Sequence, residues 1–207
     1  MKTLFIPAKL KNLNINLSKK EISKLPKKLL LLYTIQYQGL AEQIKKQLEA
    51  DNIIISGPEQ VLGCSKINTK LPLLLISTGD FHARNLYLQS PIIYMLKNNK
   101  IIKIPKSEIN KLKTQKKTAL IKFLNAEKIG ILVSTKPGQN NLNLALKLKE
   151  KLQKRYKSQK QVFIFISDNI DINQFENFQI DSWVNTACPG IAVDKPAIIN
   201  YDELPSS

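Results

Sequence analysis

The sequence predicts an α/β protein built from two small parallel-sheet lobes. Three observations predict it. Short apolar runs alternate with stretches of helical periodicity from about residue 28 onward, the pattern that builds parallel sheets with helices on their faces. Gly, Pro, Asn and Ser fall between the runs, where strands hand over to helices. Finally, 207 residues at 43% hydrophobic supply a real core, enough for one large domain or two small ones. The same composition excludes a disordered chain, a collagen-like repeat and a coiled coil.

Leu29–Ile35 reads as a buried strand leading into Gly39–Ala50, where Leu40, Ile44 and Leu48 recur at helical spacing. Ile53–Ile55 is a second short strand, closed by the turn signal Ser56-Gly57-Pro58. Leu71–Ser77 is a third, running into Thr78-Gly79-Asp80-Phe81-His82. Ile92–Leu96 is a fourth, and Asn98-Asn99 predicts a hairpin turn into Ile101–Ile104. The cycle then repeats. Ser107 caps a long basic helix over about 108–127, with Ile109, Leu112, Ala119, Phe123 and Ala126 on its inner side. Ile129–Ser134 is a strand, and Lys136-Pro137-Gly138 opens a helix over about 139–157. Val162–Ile166 is a strand, Ile172–Phe178 a short helix, and Ser182–Asn185 a last strand running into Cys188-Pro189.

Two cycles predict lobes at residues 26–105 and 106–207, with the boundary between Ile104 and Ser107. Residues 1–25 fit neither. Leu4-Phe5-Ile6-Pro7 looks like a strand without a domain, and the polar, Lys-rich stretch after it reads as a linker.

The chain carries 32 basic and 16 acidic residues, a net charge of +16. Only two of the basic residues are Arg (Arg84 and Arg155), and aromatics make up 7% with none interleaved in a basic run. Surfaces that read nucleic acid lean on Arg forks and stacking aromatics, so a nucleic-acid partner is not the expectation. The charge is also uneven: residues 161–207 hold one Lys (Lys195) against seven acids, which leaves +22 on residues 1–160. Solvated helix faces account for this, with an electrostatic docking face as the alternative. No apolar run approaches the ~20 residues of a membrane span. The start is too short in apolar residues for a secretory signal, so a soluble, cytoplasmic protein is expected.

Cys64 and Cys188 lie 124 positions apart with no CxxC pair, so a local zinc knuckle is excluded and a disulfide is not expected. Ordinary flanks would make them two buried thiols. Their flanks are not ordinary. In open parallel sheets ligands bind beyond the carboxyl ends of the strands. Five loops at such positions hold residues a plain turn would not require: Thr34–Tyr37, Val61–Cys64, Ser77–His82, Ser134–Gln139 and Asn185–Pro189. Thiolates are soft ligands suited to zinc, copper(I) or iron–sulfur clusters. Gly79 and Gly138 are either simple strand-to-helix turns or turns that cradle an anion. His82, the only histidine, is either a packed or capping side chain or a site residue. A nucleophilic-cysteine enzyme would need His82 as its base, and that reading is disfavoured.

Taken together, these loops resemble the diphthamide synthase family, the enzymes that make 2-(3-amino-3-carboxypropyl)histidine on translation elongation factor 2. The matching strings are Thr34-Ile35-Gln36-Tyr37, Gln60-Val61-Leu62-Gly63-Cys64, Gly79-Asp80-Phe81-His82-Ala83, Ser134-Thr135-Lys136-Pro137-Gly138-Gln139 and Asp181-Ser182-Trp183-Val184-Asn185-Thr186-Ala187-Cys188-Pro189. They run from about Lys28 to Tyr201, and the last two are the most specific.

The resemblance implies three related α/β domains, each giving one cysteine to a central 4Fe–4S cluster whose fourth iron takes S-adenosylmethionine. It implies a radical reaction that moves a 3-amino-3-carboxypropyl group to carbon 2 of a histidine imidazole. Cys64 matches the second cluster cysteine and Cys188 the third. The first has no counterpart, so the resemblance covers the second and third domains only, and Leu4-Phe5-Ile6-Pro7 looks like the last strand of the missing first. Gly79, Asp80, Lys136, Gly138 and Gln139 are the implied holders of S-adenosylmethionine, with Gln36 and His82 as further site candidates. Lys136 would meet its carboxylate, helped by amides at the start of the following helix. No catalytic residue is assigned beyond the cluster. The implied partners are elongation factor 2 as protein substrate and a chain carrying the missing domain, in a homo- or hetero-oligomer. A split enzyme is the favoured reading. A fragment of an ordinary enzyme, a non-catalytic partner subunit and a basic RNA-binding module are the alternatives.

Overall fold

The computed structural model describes residues 4, 6–11, 13–79, 81–90, 92–194 and 197–205, with the backbone only at Phe81, His82 and Asp194. The chain divides into two compact units, residues 1–110 and 111–207. Among the described residues no helix is long and apolar enough to cross a membrane.

The first unit holds helix α1 (Lys19–Ile22), strand β1 (Lys28–Tyr33), helix α2 (Gln38–Ala50), strands β2 (Ile54–Gln60) and β3 (Leu73–Ile76), helix α3 (Phe81–Leu86) and strands β4 (Ile93–Lys97) and β5 (Lys100–Lys103). Its sheet runs β2-β1-β3-β4-β5. The first four strands are parallel and β5 is antiparallel to β4. β1 and β3 are buried on both faces, which explains why they read as unbroken apolar runs and not as alternating ones. Leu40, Ala41, Ile44 and Leu48 are the buried face of α2. Asn98 and Asn99 both take positive φ, 47° and 61°, the geometry of a two-residue hairpin turn that Asn tolerates.

Two expectations are corrected here. Residues 1–25 are not merely a remnant strand and linker. Ile15, Leu17, Ile22 and Leu25 pack into the first core with Leu29, Ile44 and Leu74. Ser18 caps α1 by accepting from the Glu21 amide at 3.3 Å, and Glu21 accepts the Ile101 amide of β5 at 2.6 Å. Lysines between these apolar positions hide their pattern. Leu4 and Ile6 belong to no strand and are exposed; Phe5 lies outside the described residues. The second correction concerns Ser56-Gly57-Pro58, which is no turn: β2 runs through it. The register with β1 shifts between Leu30 and Leu32, and a Cβ on Gly57 (φ +91°) would stand 2.7 Å from the Leu31 carbonyl. Only glycine fits that bulge.

Helix α4 (Lys106–Asn125) begins in the first unit and continues into the second. The second unit then holds β6 (Lys128–Ser134), α5 (Leu142–Tyr156), β7 (Gln161–Ser167), a 3-10 segment at Ile172–Phe178, β8 (Ser182–Asn185), α6 (Gly190–Asp194), β9 (Ile198–Asn200) and a 3-10 turn at Tyr201–Glu203. All four strands are parallel in the order β7-β6-β8-β9. One face packs α4 and α5 through Phe123, Ala145, Leu148 and Leu152. The other is an aromatic layer in which Phe165 meets Phe175, Phe178 and Trp183 at centroid distances of 5.0, 5.1 and 4.8 Å. Buried Lys160 closes the end of α4, donating to the carbonyls of Phe123, Leu124 and Ala126. Burial pushes its ammonium below the usual lysine range, with Asp181 and Glu127 opposing.

Candidate functional site

Parallel strands bring their carboxyl ends to one edge of a sheet, and each unit carries its expected loops there. In the first unit the Val61 amide donates to the Tyr33 carbonyl at 2.8 Å and the Thr34 amide to the Ile76 carbonyl at 3.1 Å. The loops after β1, β2 and β3 therefore leave the sheet side by side. Val61 is buried, and the chain then turns through Leu62–Ser65: the Ser65 amide donates to the Leu62 carbonyl at 3.1 Å, while the Ser65 hydroxyl accepts the Leu62 amide at 2.8 Å. Cys64 sits in this turn as a free, exposed thiol. Gln89, just past α3, fastens the far side of the turn. It donates to the Ser65 carbonyl at 3.0 Å and accepts the Ile67 amide at 2.6 Å.

Gly79 has φ +73°, and among the described residues beyond its chain neighbours no atom lies within 4 Å of the place a Cβ would take. With Ser77, Thr78 and Tyr37 it lines a cavity of about 520 Å³, walled on one side by Leu13–Ile15. Gln36 lies in a neighbouring hollow beside Leu10 and Gly39. The Thr34 hydroxyl, at the same strand end, is buried with no partner among the described residues. Asp80 and the side chain of His82, two of the expected site groups, lie outside the described residues.

In the second unit the Thr135 amide donates to the Ser167 carbonyl at 3.2 Å. Thr186 donates to the Leu132 carbonyl through its amide at 3.1 Å and its hydroxyl at 2.8 Å. Lys136 extends from the loop after β6, and its ammonium donates to Asn169 Oδ1 at 2.6 Å, while the Thr135 hydroxyl donates to the Asp168 carboxylate. The Gln139 amide closes a turn on the Lys136 carbonyl at 3.0 Å, with Gly138 at φ +77° and open space beside it.

The expectation that α5 opens at Gln139 is corrected. Its first residue is Leu142, three positions past Gln139. Asn141 precedes the helix without a side-chain capping bond, and its side-chain amide donates to the Thr186 carbonyl at 2.7 Å.

Cys188 is a free, half-buried thiol at the start of α6. Asn185 Nδ2 donates to the Cys188 carbonyl at 2.8 Å, and Asn200 Nδ2 to the Pro189 carbonyl at 3.2 Å. Asn185 stands in the string that contains Cys188. Asn141, Asn200 and Gln89 come from other elements, and sequence reasoning missed them because a single Asn or Gln outside a motif carries no mark.

Both thiols are free and neither is closed into an apolar core, so in kind they fit an iron–sulfur cluster. In number they do not complete one: among the described residues no group of three or more His, Cys, Asp and Glu converges.

Two α/β units with mostly parallel sheets, each with a free cysteine on a loop at the carboxyl edge, define a protein that offers one soft ligand from each unit. The chain belongs to the diphthamide synthesis protein family, whose model matches residues 1–202. It is 26% identical to a 2-(3-amino-3-carboxypropyl)histidine synthase of Pyrococcus horikoshii, over 93% of this chain and 60% of that protein. It is 23% identical to a subunit 1 of that synthase from Nematostella vectensis, over 84% of this chain and 41% of that protein. Its fold is similar to the crystal structure of Dph2 from Pyrococcus horikoshii with a 4Fe–4S cluster. The TM-score is 0.74 at 22% identity, over 89% of this chain and 58% of that one. The chain therefore spans less than two thirds of the length of these relatives.

Proposed function

We propose that this chain is one part of a split enzyme that transfers the 3-amino-3-carboxypropyl group of S-adenosylmethionine to a histidine imidazole of translation elongation factor 2. That would be the first step of diphthamide formation, in the cytoplasm. The observation that carries the reading is the placement of the two cysteines. They lie 124 positions apart, yet each is a free thiol on a loop at the carboxyl ends of parallel strands in its own sheet.

In this reading Cys64 and Cys188 are ligands to one 4Fe–4S cluster, and a polypeptide carrying the remaining domain supplies the third thiolate. The cluster, when bound, supplies the electron for reductive cleavage of a sulfur–carbon bond. The chain's own residues bind and orient. Lys136, steadied by Asn169, offers its charge to the carboxylate of S-adenosylmethionine. Gly79 and Gly138 leave their backbone open to close approach. Gln139 and Gln36 are polar neighbours for the amino acid and ribose, and Asp80 and His82 are retained as candidates on motif position. Across the whole reaction the bond from sulfur to the γ-carbon breaks and a carbon–carbon bond forms at imidazole carbon 2. Methylthioadenosine leaves and one proton is lost, so no net oxidant is consumed.

The shortage of donors favours one rival, a partner subunit that holds part of the cluster without acting on substrate. Anaerobic reconstitution with a polypeptide carrying the remaining domain separates them, read by transfer of label from S-adenosylmethionine to elongation factor 2. Transfer that is lost in Lys136→Ala and in both Cys→Ser variants supports the split enzyme. Transfer indifferent to all three refutes it.

A further inference from the structure

The loop that carries Cys188 is held by side-chain amides drawn from three separate elements. The carbonyls of Thr186, Cys188 and Pro189 accept from Nδ2 of Asn141, Asn185 and Asn200 at 2.7, 2.8 and 3.2 Å. Asn185 and Asn200 are 2% and 5% exposed and are joined to each other at 2.8 Å. Asn200 continues outward. Its side-chain amide donates to Glu203 Oε1 at 3.3 Å and its backbone amide to Glu203 Oε2 at 3.4 Å. The Glu203 carboxylate is in turn paired with the ammonium of Lys116 on α4. A continuous line of directional contacts therefore runs from Lys116 through Glu203, Asn200 and Asn185 to the backbone of Cys188.

Buried amides of this kind specify one arrangement, because turning any of them leaves a polar group unpaired out of reach of water. The backbone of the Cys188 loop is thereby fixed from the residue before α5 and from the ends of β8 and β9, with Glu203 and Lys116 of α4 behind Asn200.

We propose that Asn141, Asn200, Glu203 and Lys116 are positioning residues for Cys188, keeping its thiol presented at the carboxyl edge of the second sheet. The functional meaning of that device rests on Cys188 being a cluster ligand. The device itself does not, and the test exploits the difference.

In a Cys64→Ser background Cys188 is the one thiol, and its second-order rate with iodoacetamide reports how far the loop opens. Asn200→Ala should raise that rate about fivefold, the population change that follows loss of one hydrogen bond of ordinary net strength. Lys116→Met should raise it as well, and Lys116→Arg, which keeps the pair with Glu203, should return it to the starting value. Cys64 in a Cys188→Ser background should react at an unchanged rate in every variant.

An unchanged Cys188 rate in both Asn200→Ala and Lys116→Met overturns the proposal. So does a joint rise at both thiols, which would mean general loosening. Where Asn200→Ala fails to fold, the Lys116→Met and Lys116→Arg pair decides, since it changes only a half-buried ion pair. If the rates shift as expected while the wild-type complex takes up no iron, the positioning inference stands and the cluster reading falls.

Discussion

Gly130 of β6 and Trp183 of β8 stand opposite one another in the second sheet, and the indole covers the place where a Cβ on residue 130 would be. Trp183 then fills the aromatic layer with Phe165 and Phe175, and it lies two residues before Asn185, whose amide holds the Cys188 loop. Gly130→Ala forces the indole out of this layer. A loss of about 2 kcal/mol is expected, as for overpacking of a filled core. Urea unfolding should show a lower midpoint at an unchanged slope.

Lys160→Met removes the donor that satisfies the last carbonyls of α4 and the cation held 5.0 Å over the Tyr156 ring. A cost of about 2 kcal/mol is expected from unpaired carbonyls out of water. The pH dependence has a definite sign. Burial lowers the folded value below the ordinary 10.5, so between that lowered value and 10.5 the unfolded chain binds the proton more tightly. Stability from this group therefore rises with pH through that window and is level below it, where folded and unfolded chains both hold the proton. The rise should be shallower in Lys160→Met, measured by urea unfolding across the alkaline range.

Glu21 works at the other end of the scale. The Lys24 ammonium at 2.7 Å and the Ile101 amide at 2.6 Å hold its carboxyl below the ordinary value of 4.5. Its contribution is present above 4.5 and is lost as pH falls through the lowered value. Glu21→Gln should remove that share of the acid loss, so thermal melts of variant and parent converge at low pH and separate toward neutrality.

The Asn98-Asn99 turn admits a simple contrast. Asn99→Gly should be neutral or slightly stabilising at φ 61°, whereas Asn99→Val should cost about 1 kcal/mol. Thermal melts of the two variants check it.

The strands were legible where burial on both faces makes a continuous apolar run, as at Leu29–Leu32 and Ile131–Val133. They were illegible where the run is brief or interrupted. β9 has three residues, and β2 is a partly exposed edge strand that passes through Gly57 and Pro58. Ile15, Leu17, Ile22 and Leu25 were masked by the lysines between them, although the core takes them in. The same contrast holds at the candidate site. Cys64, Gly79, Lys136 and Cys188 sit in short strings whose chemistry can be read locally. Asn200 reaches the Pro189 carbonyl from β9 and Asn141 reaches Thr186 from before α5, contacts that exist only after the sheet has formed.

Anaerobic iron–sulfur reconstitution of the complex with a first-domain polypeptide, read by bound iron and by thiolate-to-iron absorbance near ~400 nm, tests the central claim most directly. The account predicts a cluster in the wild-type complex and its loss in both Cys64→Ser and Cys188→Ser. A complex that takes up no iron, or that keeps the same iron and absorbance in both variants, would contradict it.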